Sequence, residues 1–153
     1  MKRKFLLVTA VLAIAFAFSS CQVDETINTT NMDGSWFVSK IEMLKNVGSI
    51  DDEIYETANV RNYDMDNLAN GSLLVKIEES ETFNLYAVHL YKYDGQKWNS
   101  LHGQQVRLSS NNHFEFYGRS CKLKKGGSGV IEVKVKEGEL YYRYRLEKVW
   151  TSI

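Results

Sequence analysis

The chain reads as an all-β domain of about eight strands, an antiparallel up-and-down meander closed into a barrel. Three observations predict it. Apolar residues recur at every second position, turn residues break these runs at short intervals, and aromatics abound (nine Tyr, seven Phe, three Trp) while proline is absent. Alternation is the mark of a half-buried strand, and tight turns taken in sequence order pair each strand with the next. Closure also removes exposed edges, which this chain has no proline to blunt. A two-sheet β-sandwich would use a similar strand list and stands as the alternative.

Trp36 to Leu44 is the first expected strand, aromatic and β-branched at its start. Leu73, Val75 and Ile77 alternate with Leu74, Lys76 and Glu78 in the second. Phe83 to Tyr93 is longer and apolar on both parities. Asp94-Gly95 turns it into Lys97 to Leu101. Gln105 to Leu108 and His113 to Tyr117 flank the turn cluster Ser109-Ser110-Asn111-Asn112. After Gly126-Gly127-Ser128-Gly129, the run Ile131, Val133, Val135 meets a closing strand with Leu140, Tyr142, Tyr144 and Leu146 on one face. Residues 45–70 are the exception, polar and acidic. There Asp51-Asp52-Glu53 is expected to open a short helical segment through Ala58, serving as a lid or end cap.

Charge and spacing exclude several functions. Lys2, Arg3 and Lys4 account for three of the 19 basic residues, so residues 22–153 carry 16 basic against 19 acidic, a balance of −3. That is no footprint for nucleic acid, which needs a basic patch or stripe. The local cluster Arg119, Lys122, Lys124, Lys125 reads as a solvated loop or hairpin end. His89, His102 and His113 have no metal-ligand spacing, and Asp64-Met65-Asp66-Asn67 lacks the glycine and distal glutamate of a calcium loop. No metal and no cofactor is expected, and a hydrolase is only a minor alternative.

The aromatic residues are the remaining clue to function. Tyr86, Tyr91, Tyr93, Trp98, Phe114, Phe116, Tyr117, Tyr142 and Tyr144 are placed to line a barrel interior or its mouth, and of these Tyr86, Tyr91, Tyr142 and Tyr144, with His89 as an interior or rim histidine, are the lead candidates. Aromatic faces with hydroxyl tips suit amphipathic ligands. The competing reading is that these side chains fill a solid core, as they do in many short barrels.

The N-terminus carries its own message. Met-Lys-Arg-Lys precedes Phe5 to Phe18, a run without charge, and the chain turns polar at Ser19-Ser20-Cys21. A positive start and an apolar stretch of this length form a signal peptide, 1–20; a membrane span needs about 20 apolar residues. Phe18-Ser19-Ser20-Cys21 resembles a lipobox, with Phe18 where an aliphatic residue is usual. The resemblance implies that Cys21 bears the lipid and is the first mature residue. Several acyl chains anchor durably at about 0.8 kcal/mol per buried methylene. Cys121 is then left without an intrachain disulfide partner. Gln22-Val23-Asp24-Glu25-Thr26 is similar to the acidic export signal of Bacteroidota lipoproteins, which implies an outer-membrane, surface-exposed location. Residues 21–32 then form the lipidated cysteine and its tether, and 33–153 the domain.

Gly34-Ser35-Trp36 resembles the Gly-x-Trp that opens lipocalin-like domains, and Tyr144-Arg145-Leu146-Glu147-Lys148 is similar to the last strand of lipocalin-like lipoproteins of Bacteroidota. The resemblance implies that Trp36 packs over the barrel's closed end against a cation from the last strand, Arg145 or Lys148. Such a contact contributes about 0.5–2 kcal/mol. It further implies a lipid-anchored envelope binding protein that holds a small apolar or amphipathic molecule. The expected partners are the membrane, through the N-terminal lipid, and that ligand or an envelope protein. A solid barrel acting as an inhibitor or accessory module is the alternative.

Overall fold

The structure, a computed structural model, describes residues 32–150. The expected signal segment 1–20, the expected lipid attachment at Cys21 and the expected tether up to residue 31 lie outside the described residues. Nine strands follow in order: β1 (Gly34–Lys45), β2 (Glu56–Asn62), β3 (Leu73–Glu79), β4 (Leu85–Tyr93), β5 (Trp98–Arg107), β6 (His113–Phe116), β7 (Arg119–Gly127), β8 (Val130–Glu137) and β9 (Leu140–Val149). All neighbours are antiparallel, and the hydrogen-bonded order β5-β4-β3-β1-β9-β8-β7-β6 is an up-and-down meander of eight strands, with β2 attached to β1. The two ends of this path, β5 and β6, come together to bring the sheet nearly to closure as a barrel.

Strand β1 makes the curvature. Its first half, Gly34 to Phe37, pairs with β3, its second half, Lys40 to Lys45, pairs with β2, and β9 runs along the whole of its other side. Register shifts between Val38 and Lys40 on the β9 side, and between Ile41 and Met43 on the β2 side, bend it. Bulges of this kind increase local twist and bending. The tight hairpins place left-handed residues where two-residue loops demand them. Gly138 does so between β8 and β9, and Tyr117-Gly118 between β6 and β7.

Three expectations are corrected. Residues 45–70 hold no helix; among the described residues there is none, and β2 occupies 56–62 instead. The acidic run does not start a helix because Asp51 and Glu53 are bound to distant side chains and the Asp52 carboxylate accepts from the preceding Gly48 and Ser49 amides. Asp51 meets Lys122 Nζ and His113 Nε2, each at 2.8 Å, Glu53 meets Lys124 at 3.1 Å, and the Asp52 carbonyl accepts from Lys134. The segment is therefore a strap across the outer face of β7 and β8. Second, Lys97–Leu101 and Gln105–Leu108 belong to one strand: β5 absorbs Leu101 as a bulge, since Leu90 pairs with His102 and Tyr91 with Ser100. Third, the basic cluster at 119–125 is strand β7, with Cys121 and Leu123 turned inward and Lys122 and Lys124 outward.

The core gathers at one end. Met32, Trp36, Val38, Ile77, Tyr86, Leu108, Leu123, Ile131 and Leu146 are buried together there. Trp36 donates its indole N–H to the Met32 carbonyl at 2.8 Å, so the last residue of the expected tether is already part of the domain. Lys148, the cross-strand partner of Trp36, holds its ammonium 5.5 Å from the indole centroid. Arg145 turns the other way, toward Glu132 at 3.9 Å and Glu147 at 3.7 Å on the outer face.

Candidate functional site

The strands alternate, so every second residue faces the barrel axis. On β3 these are Leu73, Val75 and Ile77; on β4, Tyr86, Val88 and Leu90; on β8, Ile131, Val133 and Val135; on β9, Tyr144 and Leu146. They enclose a cavity of about 190 Å³. For scale, an apolar cavity of about 150 Å³ stays dry and binds benzene, while drug-sized pockets start near 300 Å³. The interior is hollow enough for a slender ligand and too small for a bulky one.

Burial along each strand shows which way the cavity opens. Ile77, Tyr86, Ile131 and Leu146, at the Trp36 end, are buried, whereas Leu73, Leu90, Val135 and Tyr144 are only half-buried. The half-buried residues lie toward the turns at Tyr117-Gly118 and Gly138-Glu139. That end is the mouth. Two charged side chains stand there, Arg119 at the start of β7 and Glu137 at the end of β8, linked by Arg119 Nη2 to Glu137 Oε1 at 2.8 Å. They are the two charged members of a wall that is otherwise apolar or aromatic.

The five side chains singled out from the sequence separate. Tyr86 and Tyr144 line the cavity; His89, Tyr91 and Tyr142 do not. His89 and Tyr91 are on the opposite parity of β4 from Tyr86, Val88 and Leu90, which puts them on the outer face rather than the interior. There Tyr91 pairs across to Leu74, itself the partner of Phe37. His89 lies against Gly103: a Cβ on that glycine would sit 2.8 Å from His89 Nδ1. Tyr142 shares the parity of Tyr144 but stands beyond the cavity wall. Burial raises the pKa of the Tyr144 phenol, keeping it a neutral hydrogen-bonding group inside the barrel.

Phe114 and Phe116, expected among the lining aromatics, do line the cavity, whereas the sequence reading missed Arg119, Glu137 and Cys121. The signal was present: Cys121 and Leu123 alternate with Lys122 and Lys124 as any half-buried strand does, but the lysines drew attention as a cluster. Burial pushes the Cys121 thiol up to about 12, which leaves it a packing group rather than a nucleophile. Among the described residues no three His, Cys, Asp or Glu side chains are grouped to hold a metal ion.

The wall has one weak line. No ladder joins β5 to β6. Side chains close the seam instead. Gln104 Oε1 accepts the Tyr117 amide at 2.8 Å, and the Tyr117 hydroxyl donates to the Gly103 carbonyl at 3.0 Å. The Tyr117 ring also packs on His102, centroids 4.2 Å apart. Outside the seam a groove containing Gln104, Gln105, Arg107 and Ser120 shares Phe114 and Cys121 with the interior cavity. No protein-family model and no curated protein matches this chain.

Proposed function

We propose that this protein is a lipid-anchored envelope binding protein whose barrel interior holds a small apolar or amphipathic molecule. The observation that carries the reading is the cavity: about 190 Å³, walled by apolar and aromatic side chains, and opening at one end past a single ion pair. Apolar walls supply affinity through area removed from water, about 25 cal/mol per Å², and the few polar groups at the rim orient the ligand. The signal-like start and Phe18-Ser19-Ser20-Cys21 support anchoring through lipid on Cys21, and the acidic segment Gln22-Val23-Asp24-Glu25-Thr26 supports an outer-membrane, outward-facing location.

Native mass spectrometry of residues 22–153 released from their own envelope extract tests the binding role, since every strand among the described residues lies within 34–149. A stable added mass of a few hundred daltons is the expected result; a bare monomer that also takes up no added amphiphile would overturn it. Metabolic labelling with an alkyne fatty acid tests the anchor. Label should be lost in Cys21→Ser, and label that persists there rules lipid on Cys21 out. A second reading, docking of an envelope protein, is favoured by Ile54 and Phe83, which are 91% and 81% exposed on the strap and on the β3–β4 turn. Substituting both with serine would abolish partner capture under that reading and leave small-ligand binding unchanged under the first.

A further inference from the structure

We propose that Arg119 is the head-group anchor of the cavity and that the ligand class is a single-chain monocarboxylate, its tail in the barrel and its carboxylate at the mouth. The inference rests on the binding role proposed above and specifies its chemistry. Four features converge on it.

First, the charge of the wall is confined to one place. Arg119 and Glu137 stand together at the open end, and the rest of the lining is uncharged, apolar or aromatic apart from the Tyr86 and Tyr144 hydroxyls and the Cys121 thiol. Second, the volume of about 190 Å³ admits a small ligand such as one slender chain and lies below the roughly 300 Å³ at which drug-sized pockets start. Third, Arg119 is held loosely. Its contact with Glu137 runs from one nitrogen to one oxygen, and both side chains are 46% exposed. A guanidinium has five N–H donors in a planar fork that matches a carboxylate with two parallel bonds. The single bond to Glu137 leaves most of that fork available to a ligand.

Fourth, the other groups at the mouth do not favour a cationic or neutral head. Glu137 already has Arg119 as its counter-charge, so an ammonium ligand would have to displace a covalently tethered guanidinium. A hydroxyl head would gain one ordinary hydrogen bond, weaker than a charge-assisted pair. A carboxylate can share Arg119 with Glu137 or push Glu137 aside toward water, where half of its side chain already lies. Glu137 is thus a competitor: it satisfies Arg119 in the empty barrel and weakens every anionic ligand by like-charge repulsion.

The test compares decanoate, decanol and decylamine, measured by calorimetry at neutral pH on residues 22–153 of the parent, Arg119→Gln and Glu137→Gln. The parent should bind decanoate about tenfold or more tighter than decanol, and decylamine most weakly. R119Q should lose that preference, and decanol binding that weakens by severalfold at most, through loss of one ordinary hydrogen bond, shows that its cavity is intact. E137Q should tighten decanoate severalfold and leave decanol unchanged; because it keeps Arg119, it carries the test should R119Q fail to fold. Equal binding of decanoate and decanol in the parent, unchanged in both variants, would overturn the head-group assignment while leaving the cavity's role standing. Tightest binding of decylamine would overturn it too, by making Glu137 the anchor. Failure of all three probes to bind would remove the underlying binding role together with this inference.

Discussion

The wall made by β7, β8, β9 and β1 and the seam between β5 and β6 enclose the same cavity, yet they are held by different means. Along the wall, backbone pairing runs the length of the strands, interrupted by the shifts at Val38–Lys40 and Lys125–Gly127. From Ser35–Val149 to Leu44–Tyr141 on one side of β9 and from Val130–Glu147 to Glu137–Leu140 on the other, strand meets strand for its full length. The outer face repeats the order in charge. Lys122, Lys134, Arg143 and Glu42 form one cross-strand row. Across it the strap contributes Asp51, the Asp52 carbonyl and Tyr55, whose hydroxyl lies 2.5 Å from Arg143 Nη1. The seam has no such ladder and depends on Tyr117, Gln104 and the backbone of Gly103.

The difference teaches where the molecule can open. Opening the wall would strip many backbone groups of partners at once, each costing about 1–3 kcal/mol when it stays dry. Opening the seam breaks three hydrogen bonds at a partly hydrated surface. Local opening in proteins follows such low-cost lines.

The largest effect is expected in the wall. Trp36→Ala removes a buried indole from the closed end, together with its bond to Met32 and its contact with Lys148. Equilibrium urea unfolding should show a loss of about 3–5 kcal/mol; a loss below about 1 kcal/mol would mean the closed end is not the stable part of the barrel.

Glu42→Ala comes next. Glu42 is buried on the outer face and holds Lys40 at 2.7 Å and Arg143 at 2.5 Å. Removing it leaves Arg143, three-quarters buried, without its carboxylate, at a cost of about 2 kcal/mol; a fully buried pair would lose more. Burial raises the Glu42 pKa, but the hydrogen bonds from Lys40 and Arg143 outweigh it and the net direction is down. A carboxyl whose folded pKa is lowered stabilises fully above its ordinary value of 4.5, and that contribution is lost as pH falls through the folded value. The gap between parent and variant should therefore be widest at neutral pH and narrow below pH 4.5. A gap that stays constant would assign the loss to packing instead.

The smallest effect on global stability, and the sharpest test of the comparison, belongs to the seam. Tyr117→Phe deletes the hydroxyl that bonds Gly103 and should cost at most about 1 kcal/mol in unfolding. Its signature is local. Cys121 is buried, with a pKa of about 12, and sits where the groove and cavity meet. Its reaction with a disulfide reagent therefore reports opening. Labelling in Y117F should accelerate severalfold more than in a wall variant of equal stability. Equal acceleration would mean that Cys121 is exposed only by global unfolding.

Much of this architecture was legible beforehand, and for a physical reason. Period-2 alternation and the Glu137-Gly138 turn are local properties, so the meander and the β8–β9 hairpin follow from neighbouring residues, whereas the place of Trp36 at the closed end came from the resemblance of Gly34-Ser35-Trp36 to lipocalin-like domains. Errors arose where a local pattern had two uses. Asp51-Asp52-Glu53 suits a helix start as well as a strap over lysines, and only the distant Lys122, Lys124 and Lys134 select the second. His89 and Tyr91 are as suited to an interior as Tyr86; one residue of parity separates inside from outside.

By itself, then, the amino-acid order determined an all-β meander with aromatic, apolar strand faces, because backbone alternation and turn conformations act over a few residues. Only the tertiary structure decided that the barrel is hollow, that Arg119 and Glu137 guard its mouth, that Lys148 rather than Arg145 caps Trp36, and that β5 and β6 meet without a ladder. These depend on how strands far apart in sequence are brought into register around a closed surface, and no short stretch of chain carries that information.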